Sequence, residues 1–319
     1  MTTLTKNIIA TGLSSGLGFE VLRRLLKIEE RSKIIFGARV ADTTKLKWDI
    51  RKFDLDILLH SYVVLPLELN DLVGVKTFAE QALETLEKLG ETKIDYLLLN
   101  AGMWKQANEW EPYKSKWCEA AMVNHFSHHY LIHLLREKLV ASQTRIVVVT
   151  CTTVLSVEDT GTSHNTRPTS YNFQFPDQSS VGNIEDYIKA GSGTDGLTVY
   201  TYTKFLQLLG AHWWSRQLQD QCRVVAVSPG MIPHTGLGRE AGFSVPDIPS
   251  MSETIPQGAS QILKGLSRDD CPPDPERIFL TSWGSWLERS EVGKALDKGL
   301  QEKWCPSKEE LEKEAGIAE

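Results

Sequence analysis

Glycine residues near the start of the chain have a spacing that could bind a phosphate group. Residues 11–18 read T-G-L-S-S-G-L-G, follow a short apolar run and precede a segment of helical periodicity, so they predict a strand, a glycine turn and a helix. Gly12 allows a tight turn, Gly16 lets a phosphate approach bare backbone, and Gly18 lets the helix pack closely on the sheet. Because N–H groups at a helix start attract anions, this stretch could hold a nucleotide.

Tyr200 and Lys204 are the candidates for proton transfer. They lie four residues apart in a predicted helix, so both side chains project from the same helical face. A tyrosine with an ordinary pKa of about 10 is protonated at neutral pH and can act as an acid. A nearby ammonium would stabilise the phenolate that remains. The pairing arises easily by chance, so its weight depends on its place in the chain.

Alternating strands and helices would position these residues. Apolar runs bounded by turn residues predict buried strands, and periodic segments between them predict helices. This alternation predicts an α/β fold, namely a doubly wound parallel sheet of the Rossmann type in a single domain over residues 1–319. The first strand is predicted to begin by Asn7 and the others to cover 34–36, 62–67, 94–99, 145–150, 223–227 and 277–280, while the main helices after the first cover about 46–59, 72–89, 116–140 and 200–219.

The composition is that of an acidic globular protein. Of 319 residues, 41% are hydrophobic and 24% are charged, and a formal net charge of -6 with scattered basic residues argues against nucleic-acid binding. The start leaves no room for a signal peptide, and no apolar run reaches the roughly 20 residues of a membrane helix, so we expect a cytoplasmic protein. An odd number of cysteines without a C-x-x-C pair argues against a disulfide framework or a zinc knuckle; they are Cys118, Cys151, Cys222, Cys271 and Cys305.

Three segments lie outside the regular alternation. Residues 154–196 are rich in Ser, Thr, Gly, Asp and Asn and predict an insertion that forms a lid or wall before the helix of Tyr200 and Lys204. Residues 231–256 contain several prolines and predict a substrate loop. Residues 282–319 form a C-terminal extension that ends in a charged helix.

Arg39 lies where the second predicted strand ends. In a doubly wound sheet this position meets the adenosine ribose, where an acidic residue favours a free 2′-hydroxyl and an arginine favours a 2′-phosphate. No acidic residue lies directly beside Arg39, so the sequence favours NADP(H) over NAD(H). The alternative is that Arg39 is an ordinary solvated surface charge.

Five landmarks in order give the chain a family resemblance. They are residues 11–18, the N-A-G segment 100–102, Asn124, the pair of Tyr200 and Lys204, and Pro229-Gly230. Over about residues 5–235 the chain resembles the short-chain dehydrogenase/reductase family, whose glycine motif has the form T-G-x-x-x-G-x-G. The motif and the long insertion look most similar to the retinol dehydrogenase and protochlorophyllide reductase branch, and to reductases of fungal natural-product pathways.

The resemblance implies a set of residues around bound NADP(H). Glu68 and Leu69 would line the adenine pocket, although the alternative for this stretch is a helix cap. Asn100 would tie neighbouring strands together, and Leu99 stands where relatives often carry a second asparagine. The full set implied for the cofactor is Gly12, Ser14, Ser15, Gly16, Leu17, Gly18, Arg39, Glu68, Leu69, Asn100, Ala101, Gly102, Tyr200, Lys204, Pro229, Gly230, Ile232 and Thr235.

The resemblance also implies a reaction. A hydride would pass from the nicotinamide to a ketone, aldehyde or enone of a hydrophobic small molecule, while Tyr200 donates a proton to the substrate oxygen. Lys204 would bond the ribose hydroxyls and stabilise the phenolate. Asn124 would hold a water that connects Lys204 to solvent, unless it is a surface asparagine. The expected protein is therefore a soluble NADP-dependent ketoreductase, for which the resemblance also allows a homodimer.

Two positions depart from the family pattern. Cys151 stands where the family has its catalytic serine, and a thiol is a weak hydrogen-bond donor. Thr153, on the same side of an extended chain, is the nearest hydroxyl that could replace it. Farther along, either His234 or Thr235 could be the residue that contacts the nicotinamide carboxamide. The departure at Cys151 motivates a rival interpretation, a redox-inactive member that serves as a cofactor-binding scaffold or a cyclase.

Histidines recur at four-residue intervals on the predicted helix 116–140. His125, His129 and His133 would lie on one helical face, and three imidazoles could hold a metal ion. No carboxylate or cysteine accompanies that face in the sequence. Histidines on a packing helix more often lie buried against a neighbouring element, so no metal is expected.

Overall fold

A parallel β-sheet of seven strands forms the centre of the computed structural model, which describes residues 6–27, 32–39, 61–108, 115–152, 184–238, 245, 247 and 252–317. The strand order is β3-β2-β1-β4-β5-β6-β7 and every neighbouring pair is parallel. The predicted doubly wound α/β fold is confirmed. The strands are β1 Lys6–Thr11, β2 Ser32–Ala38, β3 Ser61–Pro66, β4 Tyr96–Leu99, β5 Arg145–Val149, β6 Arg223–Val227 and β7 Phe279–Leu280.

Helices cover both faces of this sheet. The described helices are α1 Gly16–Leu25, α2 Leu72–Lys88, α3 Glu119–Ala121, α4 Ser127–Ser142, α5 Ile184–Ile188, α6 Gly196–Gln217, α7 Ile255–Ser267, α8 Arg289–Val292, α9 Lys298–Trp304 and α10 Lys308–Glu314, with a π-helix at Met122–Phe126 and a 3-10 helix at Gly293–Leu296. Helices α1 and α7 pack on one face, and α2, α4 and α6 pack on the other. Because both faces are buried, the strands read as nearly continuous apolar runs.

The helix that carries Tyr200 begins earlier than the sequence predicts. Asp195 caps its start by accepting hydrogen bonds from the N–H groups of Leu197 and Thr198 at 2.9 and 3.0 Å, so α6 starts at Gly196. The helix predicted over residues 116–140 also differs from the observed one. The observed helix begins at Glu119, and a π-helix interrupts it before α4.

Some predictions fall on residues outside the described ranges. They are the helix at 46–59, Thr153, residues 154–183 of the insertion, and most of residues 239–251 in the substrate loop. Within the insertion, the described residues 184–188 form the short helix α5.

The C-terminal segment, residues 298–314, packs on helices α4 and α6. His125 Nε2 donates to the main-chain oxygen of Trp304 at 2.7 Å, and His129 Nε2 donates to that of Pro306 at 2.8 Å. The Trp304 side chain is buried, with its ring centroid 5.5 Å from that of Trp117. This segment therefore completes the core on that face of the sheet. Across the described ranges, no helix is both long and apolar enough to cross a membrane.

Replacing Trp304 with alanine should lower the free energy of unfolding by about 3 kcal/mol, because it removes a buried indole and leaves a cavity. Denaturant unfolding followed by circular dichroism measures this change. Trp283→Ala is the matched control, since Trp283 is 56% exposed and its loss should cost less than about 0.5 kcal/mol. Equal losses for the two variants would contradict the packing of the C-terminal segment.

Candidate functional site

The residues singled out in the sequence gather at the carboxyl edge of the sheet. Strand order reverses between β1 and β4, and in open α/β sheets ligands bind in the crevice at such a reversal. The residues that follow successive strands at this edge are Gly12 after β1, Arg39 after β2, Glu68 after β3, Asn100 after β4, Cys151 after β5 and Pro229 after β6.

The glycine turn after β1 requires glycine at each of its motif positions. Gly12 and Gly16 have φ values of 70° and 53°, in the left-handed region that favours glycine. A Cβ on Gly18 would lie 1.9 Å from the carbonyl oxygen of Gly12, so only glycine permits this contact of helix and turn. Ser14 and Ser15 lie in the turn, and the Ser15 side chain makes no capping bond to α1. The first turn of α1 therefore has N–H groups suited to an anion.

Hydrogen bonds tie the ends of β1 and β4 together. The Thr11 hydroxyl oxygen accepts the N–H groups of Asn100 and Ala101, both at 3.2 Å. The Asn100 amide donates to the carbonyl of Gly12 at 2.7 Å. This is the tie between neighbouring strands that the resemblance implied for Asn100. Leu99 is a buried apolar residue here and adds no side-chain bond.

Asn124 lies in the π-helix and is fully buried, which excludes a surface position. Its Oδ1 accepts the N–H of Met103 at 2.8 Å, and its Nδ2 donates to the Met103 carbonyl at 2.9 Å and to the Thr203 hydroxyl at 2.9 Å. The Thr203 hydroxyl donates in turn to the carbonyl of Tyr200 at 3.0 Å. Asn124 therefore joins the segment after β4 to the helix of Tyr200.

Tyr200 and Lys204 are both buried on α6. Lys204 Nζ lies 5.8 Å from the centre of the Tyr200 ring and donates to the carbonyl of Val149 at 3.0 Å. Burial lowers the pKa of Lys204 to about 8 and raises the pKa of Tyr200 well above its ordinary value. Near neutral pH the pair is therefore an ammonium beside an intact phenol. A Cβ on Gly102 would lie 3.2 Å from Lys204 Nζ, so the glycine leaves space beside the ammonium.

Cys151 lies close to Tyr200. Burial is the main cause that raises the pKa of Tyr200, and the proximity of Cys151 adds to it. Cys151 is half-buried and free of any disulfide. The thiol therefore occupies the place beside the tyrosine where the resemblance implied a serine hydroxyl.

Trp104 is a site residue that the sequence reasoning did not assign. Its indole stacks on the Tyr200 ring, with centroids 4.9 Å apart and planes 16° from parallel. A Cβ on Gly196 would lie 2.7 Å from the Trp104 Nε1 atom, so the start of α6 needs glycine where the indole passes. Aromatic residues after the fourth strand were visible in the sequence, but the stacking partner depends on the fold.

Thr235 lies beside the glycine turn, whereas His234 points away. A Cβ on Gly16 would lie 3.8 Å from the Thr235 Cβ atom. The His234 side chain is 77% exposed and lies 3.4 Å from the Asp247 carboxylate. Of the two candidates after Pro229-Gly230, Thr235 has the position suited to a ligand in the crevice. Pro229 and Gly230 follow β6 directly, and Ile232 and Leu17 both lie close to Gly258 at the start of α7.

The residues after β2 and β3 border the far end of the crevice. Arg39 is half-buried directly after β2, and Glu68 is half-buried shortly after β3. Leu69 is buried, and its carbonyl accepts a hydrogen bond from Ser127. The cap of α2 is Asp71, which accepts the N–H of Val73 at 3.0 Å, so this stretch does contain the helix cap that the alternative interpretation predicts.

The histidines of the π-helix and α4 have protein partners. His125 and His129 bind the C-terminal segment, and burial lowers the pKa of His125 to about 4. Trp214 Nε1 donates to His129 Nδ1 at 2.9 Å. Within the part of the chain that the structure describes, no three His, Cys, Asp or Glu side chains form a group that could hold a metal ion.

Comparisons with known proteins point to one family. A sequence model described as short chain dehydrogenase matches residues 6–161. The protein named short-chain dehydrogenase/reductase GME11359, from Pestalotiopsis microspora, is 44% identical over 312 residues, which cover 97% of this chain and 99% of that protein.

Solved structures share the fold. The NADPH-bound carbonyl reductase from chicken fatty liver has a TM-score of 0.58 at 16% identity, over 89% of this chain and 94% of that chain. A short-chain dehydrogenase from Sphingobium yanoikuyae in complex with NADPH has a TM-score of 0.57 at 18% identity, over 93% of this chain and 94% of that chain.

Proposed function

Because the chain belongs to the short-chain dehydrogenase/reductase family of oxidoreductases, we propose that it uses NADPH to reduce a ketone, aldehyde or enone of a hydrophobic small molecule. The observation that carries this proposal is the convergence of Tyr200, Lys204 and Asn124 beside the glycine turn. A phenol, an ammonium and an anion-binding turn in one crevice suit proton donation to a substrate held next to a dinucleotide.

The residues present fit a nicotinamide dinucleotide. The first turn of α1, which the Ser15 side chain does not cap, would hold the pyrophosphate. Arg39 would pair with a 2′-phosphate, and Glu68 and Leu69 would border the adenine. Thr235 would contact the carboxamide. Support for NADPH comes from Arg39 and from two solved relatives of this fold whose structures contain NADPH.

Tyr200 is the proposed proton donor. When bound, the nicotinamide would supply a hydride to the substrate carbon. Tyr200 has its proton at neutral pH, because a phenol has an ordinary pKa of about 10 and burial raises that pKa further. It can therefore donate that proton to the substrate oxygen. Lys204, still mostly protonated below its pKa of about 8, would stabilise the phenolate that remains.

Asn124 and Cys151 have supporting roles in this proposal. Asn124 fixes the segment after β4 against α6 through its bonds to Met103 and Thr203, and its place in a π-helix suits a water that resupplies protons. Cys151 lies close to Tyr200 and would orient the substrate oxygen. Thr153 stays a candidate for that second role and lies outside the described residues.

A panel of ketones, aldehydes and enones tests the reaction class. Purified protein is mixed with NADPH and each compound, and loss of the reduced-cofactor absorbance is followed. We expect oxidation of NADPH with at least one hydrophobic carbonyl compound. Binding of NADPH without turnover across the panel would favour the scaffold or cyclase interpretation that Cys151 motivates.

Tyr200→Phe should lower turnover by about 10²-fold to 10⁴-fold, the usual contribution of a positioned acid, while NADPH affinity changes little because only a hydroxyl is lost. Steady-state kinetics and a fluorescence titration with NADPH measure the two effects. Tyr202→Phe is the matched control, since Tyr202 is a buried tyrosine of the same helix that stacks on Tyr187. Turnover within a few-fold of the parent in Tyr200→Phe would assign the acid to another group.

Arg39→Ala should weaken NADPH binding by about tenfold to hundredfold, since a hydrogen-bonded charge contributes about 1.5–3 kcal/mol, and should leave NADH binding nearly unchanged. Paired titrations with the two cofactors provide the measurement. Arg223→Ala makes the same charge change at the start of β6, at the opposite edge of the sheet. It should change the affinity for neither NADPH nor NADH. The assignment fails if Arg39→Ala weakens both cofactors equally.

Cys151→Ser should raise turnover by up to about tenfold, because a hydroxyl is a stronger donor than a thiol and one hydrogen bond contributes about 1 kcal/mol. Thr153→Val should lower turnover only if Thr153 orients the substrate. Initial rates on the best compound of the panel compare the two variants. No change in either would mean that neither side chain holds the substrate oxygen.

A further inference from the structure

Lys204 has a second protein partner that the proposed reaction does not use. Its Nζ atom donates to Oε1 of Gln207 at 2.9 Å, in addition to the carbonyl of Val149. Gln207 lies one helical turn farther along α6 and is 3% exposed. An ammonium has three N–H groups, so two protein acceptors fix its direction and leave one N–H for the space beside Gly102.

The Gln207 amide is in contact with His128 on its other side. Its Nε2 atom lies 3.4 Å from Nδ1 of His128, and Nε2 of the same imidazole lies 2.9 Å from the Thr11 hydroxyl. Thr11 is the residue that accepts two N–H groups from the end of β4. A continuous row of buried side chains therefore runs from the glycine turn to the ammonium, in the order Thr11, His128, Gln207, Lys204.

We propose that Gln207 is a positioning residue for Lys204, with His128 and Thr11 packed behind its amide. The inference rests on the proposed function in one respect, since it takes Lys204 to act on Tyr200 and the cofactor. The amide oxygen carries a partial negative charge against the ammonium in a site without solvent, where such a contact is strong. Gln207 thus favours the charged form of Lys204 and keeps it beneath the Tyr200 ring.

Among the residues that the structure describes, the other ionisable groups facing Lys204 are Tyr200, Cys151 and His128. Burial raises the pKa of Tyr200 and lowers the pKa of His128 to about 3, so both are uncharged near neutral pH. Burial is the main cause that lowers the pKa of Lys204, and Cys151 raises it in part. The amide of Gln207 is therefore well placed to influence when Lys204 loses its proton.

A direct titration of Lys204 tests this proposal without cofactor or substrate. Protein containing lysine labelled with carbon-13 at Cε is titrated by nuclear magnetic resonance, and Lys204→Met identifies the resonance. In the parent, Lys204 should titrate near pH 8. Gln207→Leu removes the acceptor and should shift the midpoint to lower pH. Gln207→Glu places a carboxylate there and should shift it to higher pH by about one unit or more.

The matched control is Gln301→Leu. Gln301 is another buried glutamine, whose amide donates to the carbonyl of Ala295 at 2.9 Å, and its loss should leave the Lys204 midpoint unchanged. Near-UV circular dichroism verifies that each variant is folded. The proposal is overturned if Gln207→Leu and Gln207→Glu both titrate like the parent, or if both shift in the same direction.

Kinetics separate this proposal from the proposed function. Where NADPH is oxidised, the rate should fall as pH rises through about 8, because Lys204 loses its charge, and the two Gln207 variants should move that limb in opposite directions. If NADPH binds and no compound is reduced, the proposed function fails while the titration still decides the role of Gln207. If the high-pH limb of the rate profile has the same midpoint in both variants as in the parent, Gln207 does not act on Lys204.

Discussion

The hydrogen bonds between the ends of β1 and β4 are the constraint on which the site depends. Thr11 and Asn100 hold the two strand ends together, and a Cβ on Gly12 would lie 2.5 Å from the Ala101 Cα atom. Such contact leaves no freedom for one strand end to shift against the other. The glycine turn belongs to one of these ends and the space beside Lys204 belongs to the other. A single junction therefore sets the distance between the glycine turn and the ammonium of Lys204.

Burial away from water sets the charge states of Tyr200 and Lys204. In a buried site the uncharged form of an ionisable group is favoured, so an acid and a base shift their pKa values in opposite directions. Tyr200 holds its proton more firmly, and Lys204 holds its proton less firmly. Two neutral acceptors, the Val149 carbonyl and the Gln207 amide, offset part of the free-energy cost of burying the Lys204 ammonium. The fold thus places a buried phenol and a buried ammonium side by side.

The sequence predicted the local parts of the fold and missed those that depend on distant contacts. Strands buried on both faces and the glycine turn leave marks within a few neighbouring residues, so the sheet and the turn of residues 11–18 could be predicted. The π-helix around Asn124 and the stacking of Trp104 on Tyr200 could not, because neither has a periodic signal. The same holds for Gln207, whose partner His128 lies 79 residues away. Arg39 and Thr235 were chosen by position alone, and their roles stay predictions.

The histidine contacts of the C-terminal segment have a consequence for how the chain is made. His125 and Trp304 are 179 residues apart, and a ribosome that adds about 5–20 residues per second needs roughly 9–36 seconds to pass from one to the other. During that interval His125 and His129 lack the segment that they contact in the folded protein. Contacts between these histidines and residues 298–314 can form only after those residues emerge, so the docking of this segment should be a late event in folding.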